Sequence, residues 1–125
     1  MTAWTPEDCD RLLCEFLAHG GLDRIVELYE PQATFVTETR EALVGHAAIR
    51  ASFAPLAAAR PRLVANLTQV VCTGEDLAMI YNDWTMTVTP PGGAPTEMTG
   101  RAIEVVRRQP DGSWRFALDD PYGRN

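Results

Sequence analysis

Apolar residues recur with a helical period in the first half of the chain and with a period of two in the second, and this change dictates the architecture. Thr5-Pro6-Glu7-Asp8 reads as a helix start: a hydroxyl cap, a proline where its missing N–H is harmless, and two acids at the positive end of the helix dipole. Trp4 is placed to staple onto Cys9. Cys9, Leu12, Leu13, Phe16 and Leu17 follow at helical spacing until Gly20-Gly21 stops the stripe. A second, shorter helix is predicted from Leu22 to Glu30, with Leu22, Ile25, Val26 and Tyr29 on one side and Pro31 ending it. Ala33 to Thr37 reads as a short strand and Ala42-Leu43-Val44 as its hairpin partner. A third helix begins at Gly45, carries Ile49, Phe53 and Leu56 inward, and is kinked or shortened by Pro55.

From Arg62 onward the alternation predicts three long strands, Arg62 to Thr73, Leu77 to Thr89 and Thr96 to Arg108, joined by Gly74-Glu75-Asp76 and Pro90-Pro91-Gly92-Gly93. Pro110-Asp111-Gly112 is a hairpin signal, and Ser113 to Asp120 makes a fourth strand before an irregular tail, Pro121 to Asn125. Along the second long strand Ala78, Ile80, Trp84, Met86 and Val88 form an apolar series, and Tyr81 and Asp83 belong to the alternate, more polar set. Helices first and long antiparallel strands after them define an α+β fold: three N-terminal helices packed on a strongly curved, mainly antiparallel sheet with a hollow side, in a single domain over residues 1–125.

Composition narrows the chemistry. A net charge of −6 disfavours nucleic acid or an anionic membrane as partner, since phosphate contacts need clustered basic residues. All eleven basic residues are arginines. The start of the sequence shows no secretory pattern and no stretch is long enough for a membrane span, so a cytoplasmic protein is expected. Cys9, Cys14 and Cys72 are odd in number and lack CxxC spacing; buried thiols are expected, without a disulfide framework or zinc site. His19 and His46 read as surface residues near helix ends, and no His and acid pair has metal-ligand spacing. Neither a metal nor a cofactor is therefore expected, and no nucleotide-binding or nucleophile-elbow motif occurs.

Three strings, in order and spacing, carry a resemblance over nearly the whole chain: Leu28-Tyr29-Glu30-Pro31-Gln32-Ala33-Thr34, Gly45-His46-Ala47-Ala48-Ile49-Arg50, and Asp111-Gly112-Ser113-Trp114-Arg115. With them the sequence resembles the nuclear transport factor 2 superfamily, in particular its SnoaL-like and ketosteroid-isomerase-like branches. The resemblance implies a conical pocket between sheet and helices, a small hydrophobic ligand, and a homodimer packed through the outer sheet face. Reactions in this superfamily vary, so the fold alone warrants none. By the resemblance, Glu104 falls on the acid of the ketosteroid isomerase oxyanion hole, and Asp119 on the carboxylate of SnoaL-type cyclases and limonene-type epoxide hydrolases. The isomerase's catalytic Asp and Tyr positions hold Thr37 and Leu13, with Glu38 one residue out of register, which disfavours steroid isomerisation. The Arg of the epoxide hydrolases falls on Ala102, with Arg101 again one residue away. The resemblance also turns Met79, Tyr81 and Asp83 toward the pocket. Leu13, Thr37, Phe53, Tyr81, Asp83, Trp84 and Arg101 are accordingly the expected substrate-binding residues, with Asp119 and Glu104 catalytic. Each acid has a plainer reading: Glu104 as the partner of an Arg on an exposed face, and Asp119-Asp120-Pro121 as turn chemistry. The function that follows is an isomerase, cyclase or lyase acting on a hydrophobic carbonyl compound, with a non-catalytic ligand-binding or accessory protein as the alternative.

Overall fold

A computed structural model describes residues 1–125, and its elements follow the predicted change of period. Helix α1 spans Pro6–Ala18. The Asp8 N–H donates to Thr5 Oγ1 while the Thr5 N–H donates back to the Asp8 carboxylate, which satisfies two otherwise orphaned donors. Trp4 is 60% exposed, whereas Cys9 is fully buried. Helix α2 covers only Leu22–Glu27, because Tyr29 opens strand β1 (Tyr29–Val36) instead of ending the helix. The ring of Tyr29 stacks on Phe116 at 4.9 Å, and its hydroxyl donates to Asp119 at 2.6 Å. The helical reading accounted for the apolar ring alone; a buried phenol also needs an acceptor, and the strand supplies one.

Strand β2 (Ala42–Val44) pairs with β1 as a hairpin, and α3 (His46–Ala59) continues past Pro55 instead of being shortened there. Losing one backbone hydrogen bond to the proline does not end a helix whose next turn buries Ala57. The remaining strands are β3 (Arg62–Val64), β4 (Leu67–Thr73), β5 (Leu77–Val88), β6 (Thr96–Arg108) and β7 (Trp114–Asp120). The segment predicted as one strand from Arg62 to Thr73 is therefore two. At the break, the Asn66 N–H donates to the Asn82 side chain and the Asp83 N–H donates to the Asn66 carbonyl, so a side chain replaces a rung of the ladder.

The sheet order is β2-β1-β7-β6-β5-β3, with β4 also on β5. Every pairing is antiparallel except β1 with β7. Ala78, Ile80, Asn82, Trp84 and Met86 are the buried set of β5, and the apolar ones pack in one core with Leu12, Leu17, Ile25, Ile49 and Phe116. Met79, Tyr81 and Asp83 are thus on the opposite face, which corrects the parity the resemblance implied. Near Val105 and Val106 the register of β6 against β7 shifts: Glu104 lies opposite Asp119 and Val106 opposite Phe116. This bulge turns both Phe116 and Asp119 inward, although they are three positions apart and a regular strand would put them on opposite faces. Of the cysteines, Cys9 is buried and Cys14 half-buried, but Cys72 is exposed, because β4 turns that position to solvent.

Trp84 lies opposite Gly100, and its indole crosses β6 so that Nε1 donates to the Pro121 carbonyl at 2.8 Å. A Cβ at Gly100 would overlap the six-membered ring of Trp84. Gly100→Ala is therefore expected to cost about 1–3 kcal/mol, the range for overpacking, and to shift Trp84 fluorescence. Thermal melts with fluorescence detection check this; an unchanged melting temperature would mean that the indole is not held there.

Candidate functional site

The helices and the inner sheet face enclose a cavity of about 160 Å³. Leu13 and Leu17 of α1, Phe35 of β1, Phe53 and Leu56 of α3, and Trp84 and Met86 of β5 form apolar walls, and Pro121 and Tyr122 contribute from the segment after β7. Tyr122 meets the Trp84 ring edge to face at 5.4 Å. The polar residues lining this space are Asn82, Glu104 and Asp119, set on three adjacent strands, β5, β6 and β7.

Glu104 and Asp119 are each 3% exposed and sit directly across the β6–β7 ladder. Their surroundings differ. Asp119 Oδ2 accepts the Tyr29 hydroxyl, and its Oδ1 takes no hydrogen bond within the chain. Burial pushes the Asp119 carboxyl up to about 7; the hydrogen bond from Tyr29 opposes that rise, while the charges of Asp10 and Asp120 add to it. Glu104 is held well above the usual carboxylate range, first by burial and then by the neighbouring Asp10 charge. Burial and the nearby Asp119 carboxylate likewise raise the Tyr29 phenol.

Asp10 and Asn82 complete this arrangement. Asp10, on α1, is 2% exposed, and its carboxyl and that of Glu104 are within hydrogen-bonding reach of each other. The Asn82 amide donates to Asp10 at 3.4 Å and to Glu104 at 3.3 Å, with its own oxygen fixed by the Asn66 N–H at 3.0 Å. Both residues left a trace in the sequence. Asp10 precedes Leu13 and Leu17 by three and seven positions, so it lies within the apolar stripe of α1. Asn82 occupies the vacant step of the series Ala78, Ile80, Trp84 and Met86. An ionisable or amide group on a buried face signals a built polar site.

No arginine pairs with Asp10, Glu104 or Asp119; all the ion pairs lie on other acids. Arg40 binds Asp120 through two bonds of 2.7 and 2.9 Å, which join the turn after β1 to the end of β7. No three His, Cys, Asp or Glu side chains are arranged to hold a metal ion. His46 is half-buried, not on the surface, and its Nε2 donates to the Tyr29 carbonyl at 2.7 Å, because the start of α3 packs against β1.

Among the substrate-binding residues expected from the sequence, Leu13, Phe53 and Trp84 line the cavity together with Glu104 and Asp119. Thr37, Tyr81, Asp83 and Arg101 do not. Thr37 falls in the turn after β1, where its hydroxyl is 3.1 Å from that of Thr39 and accepts the Glu41 N–H at 3.1 Å. Tyr81 and Asp83 are on the outer face, where Arg124 lies 4.4 Å over the Tyr81 ring and bonds Asp83 at 2.6 Å. Arg101 is exposed beside Asp83, since its parity on β6 is opposite to that of Ala102 and Glu104.

Similarity to known proteins agrees with this geometry at the level of the fold. A conserved protein from Planctomyces limnophilus superposes with a TM-score of 0.80 at 22% identity, over 91% of this chain and 89% of that one. A ketosteroid isomerase-like protein from Erwinia carotovora atroseptica gives 0.77 at 17% identity, over 91% and 89%. An NTF2-like protein with a cystatin-like fold from Novosphingobium aromaticivorans gives 0.75 at 17% identity, over 90% and 75%. Curated protein sequences yield no match. The model of the SnoaL-like domain matches residues 11–117, which include Glu104 and end within β7 before Asp119, and the chain belongs to the SnoaL-like domain family within the nuclear transport factor 2-like superfamily.

Proposed function

We propose that this protein is an isomerase, cyclase or lyase that acts without a cofactor on a small hydrophobic carbonyl compound. In this reading Asp119 is the general base and Glu104 the acid that stabilises charge developing on the carbonyl oxygen. One observation carries it: two carboxyls sit side by side at an apolar cavity with different partners, the Tyr29 hydroxyl on Asp119 and the Asn82 amide on Glu104. Asp119, raised to about 7, is partly ionised at neutral pH and is a stronger base than an ordinary carboxylate. Its Oδ1 is unoccupied, and the hydrogen bond from Tyr29 orients the group. Glu104 is pushed well above the usual carboxylate range by burial and by the Asp10 charge, which favours the neutral acid, the form that donates a hydrogen bond to an oxyanion. A cavity near 160 Å³ suits a compound of single-ring size; an engineered apolar cavity of about 150 Å³ takes up benzene.

Thr37 and Leu13, which stand at the steroid isomerase's base and Tyr positions, support the second reading, a protein that binds such a compound without converting it. The two separate by solvent deuterium exchange next to the carbonyl in a panel of small cyclic ketones, because proton abstraction is registered even where no net product forms. Asp119→Asn and Glu104→Gln are each expected to lower that exchange, or turnover, by about 10²–10⁴-fold. Unaffected rates in both variants overturn the enzymatic reading. Tyr29→Phe removes a bond that favours the Asp119 carboxylate, so the acidic limb of the pH–rate profile, on which the base loses its proton, should move to higher pH; an unmoved limb removes Tyr29 from the site.

The same carboxyls set the pH dependence of folding. Unfolded, these groups titrate near 4; folded, Asp119 holds its proton up to about 7 and Glu104 also titrates above its ordinary range. The folded state therefore binds more protons across that interval, and stability falls as pH rises through it. Melting temperatures are expected to drop between about pH 5 and about pH 8, with a shallower slope in Asp119→Asn. A rise over that interval would contradict the assigned protonation states.

A homodimer packed through the outer sheet face belongs to the same proposal. Val71, Met79, Val105 and Leu118 form one cross-strand row on that face, and all four are partly or fully exposed. Sedimentation tests it: a dimer is expected, and a monomer refutes it.

A further inference from the structure

The buried acid on α1 belongs to neither catalytic role above, yet it is as inaccessible as Glu104 and rests against it. We infer that Asp10 is a positioning residue of the site: with Asn82 it forms a bridged pair of carboxyls that shares one proton with Glu104 and fixes Glu104 as the neutral partner. This rests on the reading of Glu104 as the site's acid.

The geometry leaves little choice about the proton. Within the pair, Asp10 Oδ1 and Glu104 Oε2 both face the Asn82 amide nitrogen, and that nitrogen cannot turn away because Asn82 Oδ1 accepts the Asn66 N–H. The remaining oxygens, Asp10 Oδ2 and Glu104 Oε1, are buried and meet no N–H or O–H of the chain. Two carboxylates ionised in that position would leave both orphaned oxygens facing like charge without a donor. One proton between the two carboxyls relieves this repulsion: the carboxylic O–H donates and the neighbouring carboxylate accepts.

Electrostatics indicates which side carries it. The titratable groups around the pair are Asp119 from β7, Tyr29 from β1, and the Cys9 and Cys14 thiols of α1 itself. None is a cation. The charge of Asp119 acts on Glu104 as well as that of Asp10, so the proton favours Glu104 and the negative charge stays on Asp10. Asp10 does not line the cavity, so a ligand meets the neutral member of the pair. With the shared proton drawn toward a ligand oxygen, Glu104 would still be held in place by Asn82.

The test needs no substrate. In wild type, carboxyl-labelled Asp and Glu observed by carbon NMR should show one buried Asp and one buried Glu that titrate as a coupled pair, and the infrared spectrum of glutamate-labelled protein at neutral pH should contain the isotope-shifted C=O band of a protonated glutamate, to which Asp119 contributes nothing. Asp10→Asn supplies Glu104 with an amide donor in place of an acceptor, so the band should disappear and Glu104 should ionise at lower pH; Asp10→Glu should restore the band. Survival of the band in Asp10→Asn, or two independent single-step titrations in wild type, overturns the inference. The wild-type titration decides the matter if Asp10→Asn does not fold. A shared proton without any ketone exchange would refute the proposed reaction and leave the pair standing; exchange without a shared proton would do the reverse.

Discussion

Three carboxyl groups, Asp10, Glu104 and Asp119, are buried at one end of the apolar core with no arginine among them, and much of the local structure is arranged around that constraint. An isolated ionised carboxylate in such a place is costly, and a protein has three ways to relieve it: a counter-charge, hydrogen bonds, or retention of the proton. This chain uses the second and third. Tyr29 and Asn82 supply the donors, and raised proton affinities supply the rest. Its arginines are spent outside, on Asp120, Asp83 and Glu30, where such pairs contribute little to stability but join the turn after β1 to β7, the tail to β5, and β6 to β1.

Satisfying these acids explains several irregularities of the backbone. The register shift between β6 and β7 turns Asp119 inward beside Glu104 while keeping Phe116 in the core. The premature end of α2 lets Tyr29 begin a strand, from which its hydroxyl reaches Asp119. The break between β3 and β4 places the Asn66 N–H on Asn82 and so fixes the direction of the amide that bridges Asp10 and Glu104. Each departure from regular structure costs backbone pairing, and each satisfies a buried polar group.

These irregularities are also where the sequence is least legible. Local periodicity foretold α1 closely, and β6 at both ends, because the apolar stripe, the cap and the alternation all act within a few residues. The positions of Glu104 and Asp119 came from the resemblance, and both line the cavity. What local pattern could not show was long-range pairing. Tyr29 looked like the apolar side of a helix because its partner, Asp119, is ninety residues away in sequence. The parity of β5 failed for a related reason. Tyr81 and Asp83 are the more functional-looking residues, yet their partner is Arg124 on the outer face, and the inward polar residue is Asn82. The apolar series around Trp84, taken alone, indicated the buried face correctly.

The absence of a cation at the cavity bears on what it can hold. A ligand bearing a carboxylate or phosphate would bring a further negative charge to a region where existing acids already retain protons to avoid one. A neutral compound with one polar oxygen faces no such penalty. In the proposed complex its ring or chain would meet Phe35, Phe53, Trp84 and the leucines that line the cavity, and its oxygen would accept a hydrogen bond from a protonated carboxyl. The same low-dielectric surroundings that raise these proton affinities also strengthen any hydrogen bond made to developing negative charge. An uncompensated acidic floor is unfavourable for folding at neutral pH, and it is the feature on which the proposed movement of a proton on a neutral substrate rests.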